Sequence, residues 1–443
     1  MQDLPQQNAE IAARFPDLHP PFEPQAAIVE SNRCLNCFDA PCMGACPTHI
    51  DVPKFIKKIA SGNLRGSALS ILEANVLAAS CSRVCPVEVL CEGACVMHRY
   101  DKQPIAIGRL QRFAMDAFHD SGASLPLKSH EQRSARIACI GAGPASLSAA
   151  AELKQRGYQV TLFDKRSLPG GLNTYGVAEY KLPLQDSLRE IRLIEQLGVE
   201  FRLGVEIGRD VSMEELEDEF DCIFLGIGLG AIHTLDIPGA DHPAVVGALQ
   251  FISDYKTGHA TNVTGNVVVI GAGNTAIDAA RAAIRLGAKN VTLLYRRTPA
   301  RIAAFNFEYE QAKQEGVRFE WLTQPIAIHA SSDGVASVEC TRTEIAPDGS
   351  LQAIADSSFH IESNLVIPAV GQSFLHEFLT QRRGLRLEGG RISIERATGQ
   401  TTNPKYFAGG DCVNGGREVV DAVTDGKRSA VAMAKLLEAA PHV

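Results

Sequence analysis

Arg136-Ile-Ala-Cys-Ile140-Gly141-Ala-Gly143-Pro144-Ala145-Ser146-Leu147 runs from an apolar stretch through a glycine turn into helix-forming residues. A short apolar run of this kind reads as a strand buried on both faces. The turn fits the dinucleotide fingerprint, with Ser146 as a small residue at the third glycine position. A helix is expected to about residue 156, then a second strand, Gln159-Val-Thr-Leu-Phe163, ending at Asp164 and Lys165. Asp164 stands 23 positions after Gly141, where an acid can hold a ribose hydroxyl. A tight strand-to-helix turn without a ligand would look alike locally, so the rest of the chain must decide.

The unit recurs about 130 residues later. Asn266-Val-Val-Val-Ile270 leads into Gly271-Ala-Gly273-Asn274-Thr275-Ala276, then a helix over 277–286 and a strand, Asn290-Val-Thr-Leu-Leu294. Here the terminal acid is replaced by Tyr295-Arg296-Arg297, with Arg301 close behind. Arginines bind a 2′-phosphate that a carboxylate would repel, which favours NADPH over NADH. The alternative is a solvated basic turn. Two such units imply two bound dinucleotides.

The C-terminal stretch assigns them. Thr401-Thr-Asn-Pro-Lys-Tyr-Phe407-Ala-Gly-Gly410-Asp411 reads as a strand ending in a Gly-Gly-Asp turn, followed by a helix that includes Ala422 and Val423. This resembles the second FAD motif of two-dinucleotide flavoproteins. There the Asp contacts the ribityl–phosphate region and the helix N-terminus faces the flavin's pyrimidine edge. The expected FAD domain is therefore discontinuous, 135–235 and 366–443, with an NAD(P)H domain inserted over 236–365. Leu225-Gly-Ile-Gly228 and Pro368-Ala-Val-Gly371-Gln372 are the expected crossings. Gly170-Gly171-Leu172 is expected to approach the FAD pyrophosphate. Hydride transfer needs no general base, so no catalytic acid or base is assigned.

Ahead of these units, Cys34-x2-Cys37-x4-Cys42-x3-Cys46-Pro47 and Cys81-x3-Cys85-Pro86-x4-Cys91-x3-Cys95 hold eight of the twelve cysteines. Two four-thiolate groups suit two [4Fe–4S] clusters, and a Cys-Pro can ligate the other cluster of a pair. Structural zinc is the alternative, although only Cys34-x2-Cys37 has common zinc spacing. His49 and His98 lie nearby and are not counted as ligands. Val52, Phe55, Ile56 and Ile59, and then Leu69, Leu72 and Val76, recur at helical spacing. A helix also starts near Pro104. The expectation is a helical iron–sulfur domain over 1–120 and a linker over 121–134. Residues 1–30, rich in proline, read as an extended arm. The fold class is α/β: the helical domain followed by two Rossmann-like domains.

A formal net charge of −8 argues against nucleic acid as a partner. No apolar run reaches the roughly 18 residues of a membrane span. Met1-Gln2-Asp3-Leu4-Pro5 lacks the charged and apolar regions of a secretory signal, so the cytoplasm is expected.

With these motifs in place, residues 28–435 resemble the family of the bacterial glutamate synthase small subunit and the N-terminal region of dihydropyrimidine dehydrogenase. The resemblance rests on both cysteine groups, Gly141-Ala-Gly-Pro-Ala, Pro169-Gly-Gly-Leu, Gly271-Ala-Gly-Asn-Thr-Ala, Tyr295-Arg-Arg and Phe407-Ala-Gly-Gly-Asp. Within the family, Gly170-Gly-Leu-Asn-Thr-Tyr-Gly-Val-Ala-Glu-Tyr-Lys-Leu182 is closer to the flavoprotein subunit of bacterial dihydropyrimidine dehydrogenase. The resemblance implies a crossed pattern. Cys34, Cys37, Cys42 and Cys95 would hold one cluster. Cys46, Cys85 and Cys91 would hold the other, with Gln111 as fourth ligand and Cys81 a structural thiol. It also implies transfer of electrons from NAD(P)H through FAD and both clusters to a partner, giving a hetero-oligomer. The partner would be an FMN-containing, pyrimidine-reducing subunit or the large glutamate synthase subunit. The chain has no room for a barrel of about 250 residues that would carry FMN itself. A non-catalytic scaffold holding the same cofactors is the reading from another class.

Overall fold

A computed structural model describes residues 9–125, 132–331, 334–375, 378–379 and 384–439. The Met1–Pro5 stretch and residues 126–131 of the expected linker lie outside these. In chain order, β1 (Arg136–Ile140), β2 (Gln159–Asp164), β3 (Glu200–Leu203) and β4 (Cys222–Leu225) come first. Next are β5 (Asn266–Ile270), β6 (Asn290–Tyr295), β7 (Arg318–Trp321), β8 (Thr323–Ser331), β9 (Gly334–Ile345), β10 (Leu351–Ala353), β11 (Phe359–Glu362) and β12 (Leu365–Pro368). The chain closes with β13 (Leu387–Glu388), β14 (Arg391–Ile392) and β15 (Tyr406–Ala408).

The chain forms two compact units. The larger comprises Asp17–Thr174, Lys181–Leu229 and Phe374–Val443. Its sheet runs β15-β4-β1-β2-β3, with every pairing parallel. Ile137 lies opposite both Val160 and Cys222, so β1 is a central strand covered on both faces, as its apolar run requires. The cysteine-bearing segment belongs to this same unit. Its core gathers Phe55, Ile56 and Ile59 of the Val52–Ala60 helix, Ile71 of the Leu64–Leu72 helix, and Leu110 and Met115 of the Ile107–Asp120 helix. Asp51 and Asn63 cap the first two, accepting from the N–H groups of Lys54 and Gly66. Leu193 of the Leu184–Gln196 helix joins this core, so the cysteine helices and the flavin-side helices share apolar packing. Lys427, on the Val419–Ala439 helix, donates to the carbonyls of Glu73 and Ala74 at 2.8 and 3.2 Å.

The smaller unit comprises Met1–Pro16, Tyr175–Tyr180 and Gly230–Ser373. Its parallel sheet runs β12-β5-β6-β7, and a second, antiparallel sheet is built from β8 to β11. Two expectations change here. The expected return to the flavin domain at residue 366 falls inside β12, which pairs with β5, Leu365 opposite Val267. An apolar strand after a turn reads the same whichever sheet receives it. The expected extended arm is partly helical, with helices at Ala9–Arg14 and Pro24–Asn32. Ile11 and Phe15 are buried, and Phe15 stacks on Tyr255 at 5.0 Å, so one apolar face outweighs the prolines around it. Among the described residues, no helix is long and apolar enough to cross a membrane.

Candidate functional site

The eight clustered cysteines come together as two nests of thiols. Burial raises the pKa of Cys34, and Cys37 and Cys95 add to the rise. Burial pushes Cys42 up to about 12, helped by Cys34 and Cys95. Cys34, Cys37, Cys42 and Cys95 thus face one another against Val52, Ile56 and other apolar groups. In the second nest, Cys85 is held protonated first by a hydrogen bond with Cys81, then by burial, and then by Cys81, Cys91 and Cys46 as neighbours. Cys91 is raised by burial, with Glu92 and Cys46 adding. Four clustered thiols, partly or fully shielded from water, are a poor place for thiolate charge without a cation. A cluster's irons supply the positive charge that lets such thiolates exist. The donor sets therefore fit iron–sulfur chemistry.

Cys95 joins Cys34, Cys37 and Cys42, while Cys46 joins Cys85 and Cys91. Gln111, buried on the Ile107–Asp120 helix, donates its amide Nε2 to the Ala78 carbonyl at 2.8 Å. That bond fixes the orientation of the side-chain amide. His49 is exposed, and His98 bonds through a ring nitrogen to the Glu92 carbonyl at 3.1 Å. Sequence reasoning passed over Glu92, between two of the cysteines. Its carboxylate accepts from Gly108 N–H at 3.0 Å, fastening the Cys91–Cys95 loop to the helix that carries Gln111, and burial raises it to about 7. Its only signal was an acid wedged between thiols.

The two glycine turns are built alike. Gly141 and Gly271 both have positive φ, and a Cβ at either would strike a carbonyl, that of Gly226 or of Ala369. Each is followed by a helix, Pro144–Gln155 after Gly143 and Asn274–Arg285 after Gly273. Space in front of the caps is open. A Cβ on Gly273 would meet nothing within 4 Å, and one on Gly143 only the Gly171 Cα at 3.9 Å. Gly171 thus packs over the first turn, and Leu172 starts the short Leu172–Tyr175 helix beside it. These cradles fit a pyrophosphate at a helix N-terminus. Ser146 is fully buried, packed where a Cβ on Gly226 would collide with its hydroxyl, so only a small residue suits this place. Ala145 is buried against Gly410, and Ala276 is buried at the matching place in the second unit.

Other expected residues show their present partners. Asp164 accepts from Ala142 N–H at 2.6 Å and Arg166 N–H at 2.8 Å, so it also braces the turn. Lys165 is exposed and reaches Glu206 at 3.5 Å. Asn274 accepts from Phe305 N–H, and Thr275 is half-buried at the helix start. Gly371 has positive φ and accepts from His233 N–H at 2.9 Å. Burial raises the Asp411 carboxyl, which accepts from Arg417 N–H. Ala422 is buried; the Val423 carbonyl accepts the Ser148 hydroxyl at 2.8 Å, which gives Val423 a packing role beside its expected cofactor role. Arg296, Arg297 and Arg301 are all exposed at and beyond the end of β6. Their carbonyls are anchored by Thr343, Leu322 and Tyr295, which leaves the guanidinium groups to solvent.

Comparison with known proteins agrees with this layout. Residues 11–123 match the family described as dihydropyrimidine dehydrogenase domain II, 4Fe-4S cluster. Residues 135–426 match the pyridine nucleotide-disulphide oxidoreductase family. The chain is 34% identical over 439 residues to the NAD-dependent dihydropyrimidine dehydrogenase subunit PreT of Escherichia coli O157:H7, covering 99% of each. It is 32% identical over 445 residues to the glutamate synthase [NADPH] small chain of Escherichia coli K12, covering 96% of this chain and 94% of that one. The thioredoxin reductase of Lactococcus lactis shares the fold, with a TM-score of 0.54 and 23% identity over 69% of this chain and 99% of that one. The chain therefore belongs to the pyridine nucleotide-disulphide oxidoreductase family, in the branch that carries an N-terminal 4Fe-4S domain, and is an NAD(P)H-dependent FAD/iron–sulfur oxidoreductase.

Proposed function

We propose that this chain is the electron-input subunit of a dihydropyrimidine dehydrogenase. NAD(P)H would be oxidised at FAD, and electrons would leave through two [4Fe–4S] clusters to an FMN-containing partner that reduces uracil or thymine. FAD supplies the exchange between a two-electron donor and one-electron steps. The observation that carries the reading is the placement of two thiol nests in the same compact unit as the flavin-side glycine turn.

The chain's residues have separable tasks. Gly141, Gly143, Gly170 and Gly171 let backbone approach a pyrophosphate. Asp164 and Asp411 would take polar groups of the FAD, and Ala422 and Val423, early in the Val419–Ala439 helix, would lie toward the flavin. Gly271 and Gly273 with Asn274 to Ala276 hold the nicotinamide cofactor, and Arg296, Arg297 and Arg301 favour its phosphorylated form. Cys34, Cys37, Cys42 and Cys95 hold one cluster, and Cys46, Cys85, Cys91 and Gln111 the other. End-to-end coverage of PreT and the 170–182 stretch favour the pyrimidine reading. The second reading is the glutamate synthase small subunit, favoured by a similar identity over nearly the whole chain. Isolating the native complex through this chain tests both. A partner that consumes uracil with NAD(P)H supports the first, and a glutamine-dependent partner the second.

A further inference from the structure

The antiparallel sheet of the smaller unit carries a side-chain cluster that the redox machinery does not use. His360 on β11 lies directly opposite Glu339 on β9. His329 on β8 lies opposite Ser337, two residues from Glu339 and so on the same face. One face thus receives an imidazole, a carboxylate and an imidazole from three adjacent strands. One ligand atom from each lies within 4.8 Å of the others. His329 Nε2 is 2.9 Å from Glu339 Oε2, and the two imidazole centroids are 5.2 Å apart. His329 and His360 are exposed and Glu339 is half-buried, so the group is open to an entering ion.

We propose that His329, Glu339 and His360 form a site for a zinc-like divalent cation. Zinc takes nitrogen and carboxylate ligands at about 2.0–2.2 Å, which sets tetrahedral ligand atoms about 3.3 Å apart. The present spacing reaches that with small side-chain rotations. Ser337 Oγ lies 3.2 Å from His360 Nδ1. Such a bond fixes ring orientation and tautomer, turning Nε2 into the ligand, as outer hydrogen bonds commonly do for ligating histidines. Glu362, opposite Ser337 on the same face, adds negative charge beside the site. A fourth position would stay open to water, and the bound ion would fasten β9 to both neighbours. The competing reading is a plain cross-strand His–Glu pair.

The test is calorimetric titration of zinc chloride into the full-length holoprotein, oxidised, with FAD and iron content measured first. Parent protein is compared with His360→Ala, Glu339→Gln and Ser337→Ala. One saturable site per chain is expected in the parent. It should be lost in His360→Ala and Glu339→Gln and weakened about tenfold in Ser337→Ala. Zinc should raise the apparent melting temperature of the parent and leave that of His360→Ala unmoved. No saturable zinc in the parent overturns the proposal, and so does the same isotherm in His360→Ala and Glu339→Gln with cofactors intact.

Discussion

The Ser80 hydroxyl donates to the Glu190 carboxylate at 2.6 Å, and both groups are fully buried. Ala79 N–H donates to the same carboxylate at 2.6 Å. Glu190 sits on the Leu184–Gln196 helix of the flavin side, and Ser80 on the Ala78–Val84 helix that runs into Cys85. One carboxylate therefore grips the helix beside the second thiol nest. The neighbouring Arg83 pairs with Asp186 of the same flavin-side helix at 2.6 Å.

This grip should make stability depend on pH. Burial lifts the Glu190 carboxyl to about 7, and the bonds from Ser80 and Ala79 only partly offset it. An unfolded glutamate titrates near about 4.3. The folded state thus holds the proton more tightly, so this group's stabilisation is complete at low pH and is lost as pH rises through about 7. The apparent melting temperature at fixed scan rate should fall between about pH 5 and 8, and Glu190→Gln should remove part of that fall. An unchanged slope in the variant would show that Glu190 titrates as if unfolded.

Purified anaerobically, the protein should be brown-yellow and carry about eight irons and one FAD per chain. Iron, acid-labile sulfide and released flavin measure this directly. Stoichiometric zinc without sulfide would sink the cluster assignment.

Gln111 is the proposed fourth ligand of the second cluster, and Cys81 is the alternative. Gln111→Ala should halve the iron, change the reduced-cluster EPR spectrum and spare flavin reduction by NAD(P)H. Cys81→Ala should keep both clusters, because its thiol serves Cys85 as a hydrogen-bond partner. The reverse pattern would make Cys81 the ligand.

Arg296→Ala with Arg297→Ala should weaken NADPH at least tenfold more than NADH, since each charged hydrogen bond to phosphate is worth roughly 1.5–3 kcal/mol. Steady-state flavin reduction with both donors reads this. Equal losses would mean that the arginines do not touch a 2′-phosphate.

Legibility followed the range of the forces involved. The turns at Gly141 and Gly271 could be read because positive φ and close carbonyl approach demand glycine locally, and the residues leading into them, 137–140 and 267–270, are apolar. The grouping of Cys95 with Cys34, Cys37 and Cys42 is long-range, and spacing alone left it open; it came with the family resemblance. Glu190 was invisible because an acid on an amphipathic helix looks solvated until another helix covers it. The Ala9–Arg14 helix was hidden by the surrounding prolines, and its apolar face became visible only with Tyr180 and Tyr255 beside Phe15.

The most direct test supplies the native complex, captured through this chain, with NAD(P)H and uracil, and in parallel with NADPH, glutamine and 2-oxoglutarate. The expected result is uracil-dependent NAD(P)H oxidation with dihydrouracil as product and no glutamate formed. Glutamate formation without uracil reduction would contradict it.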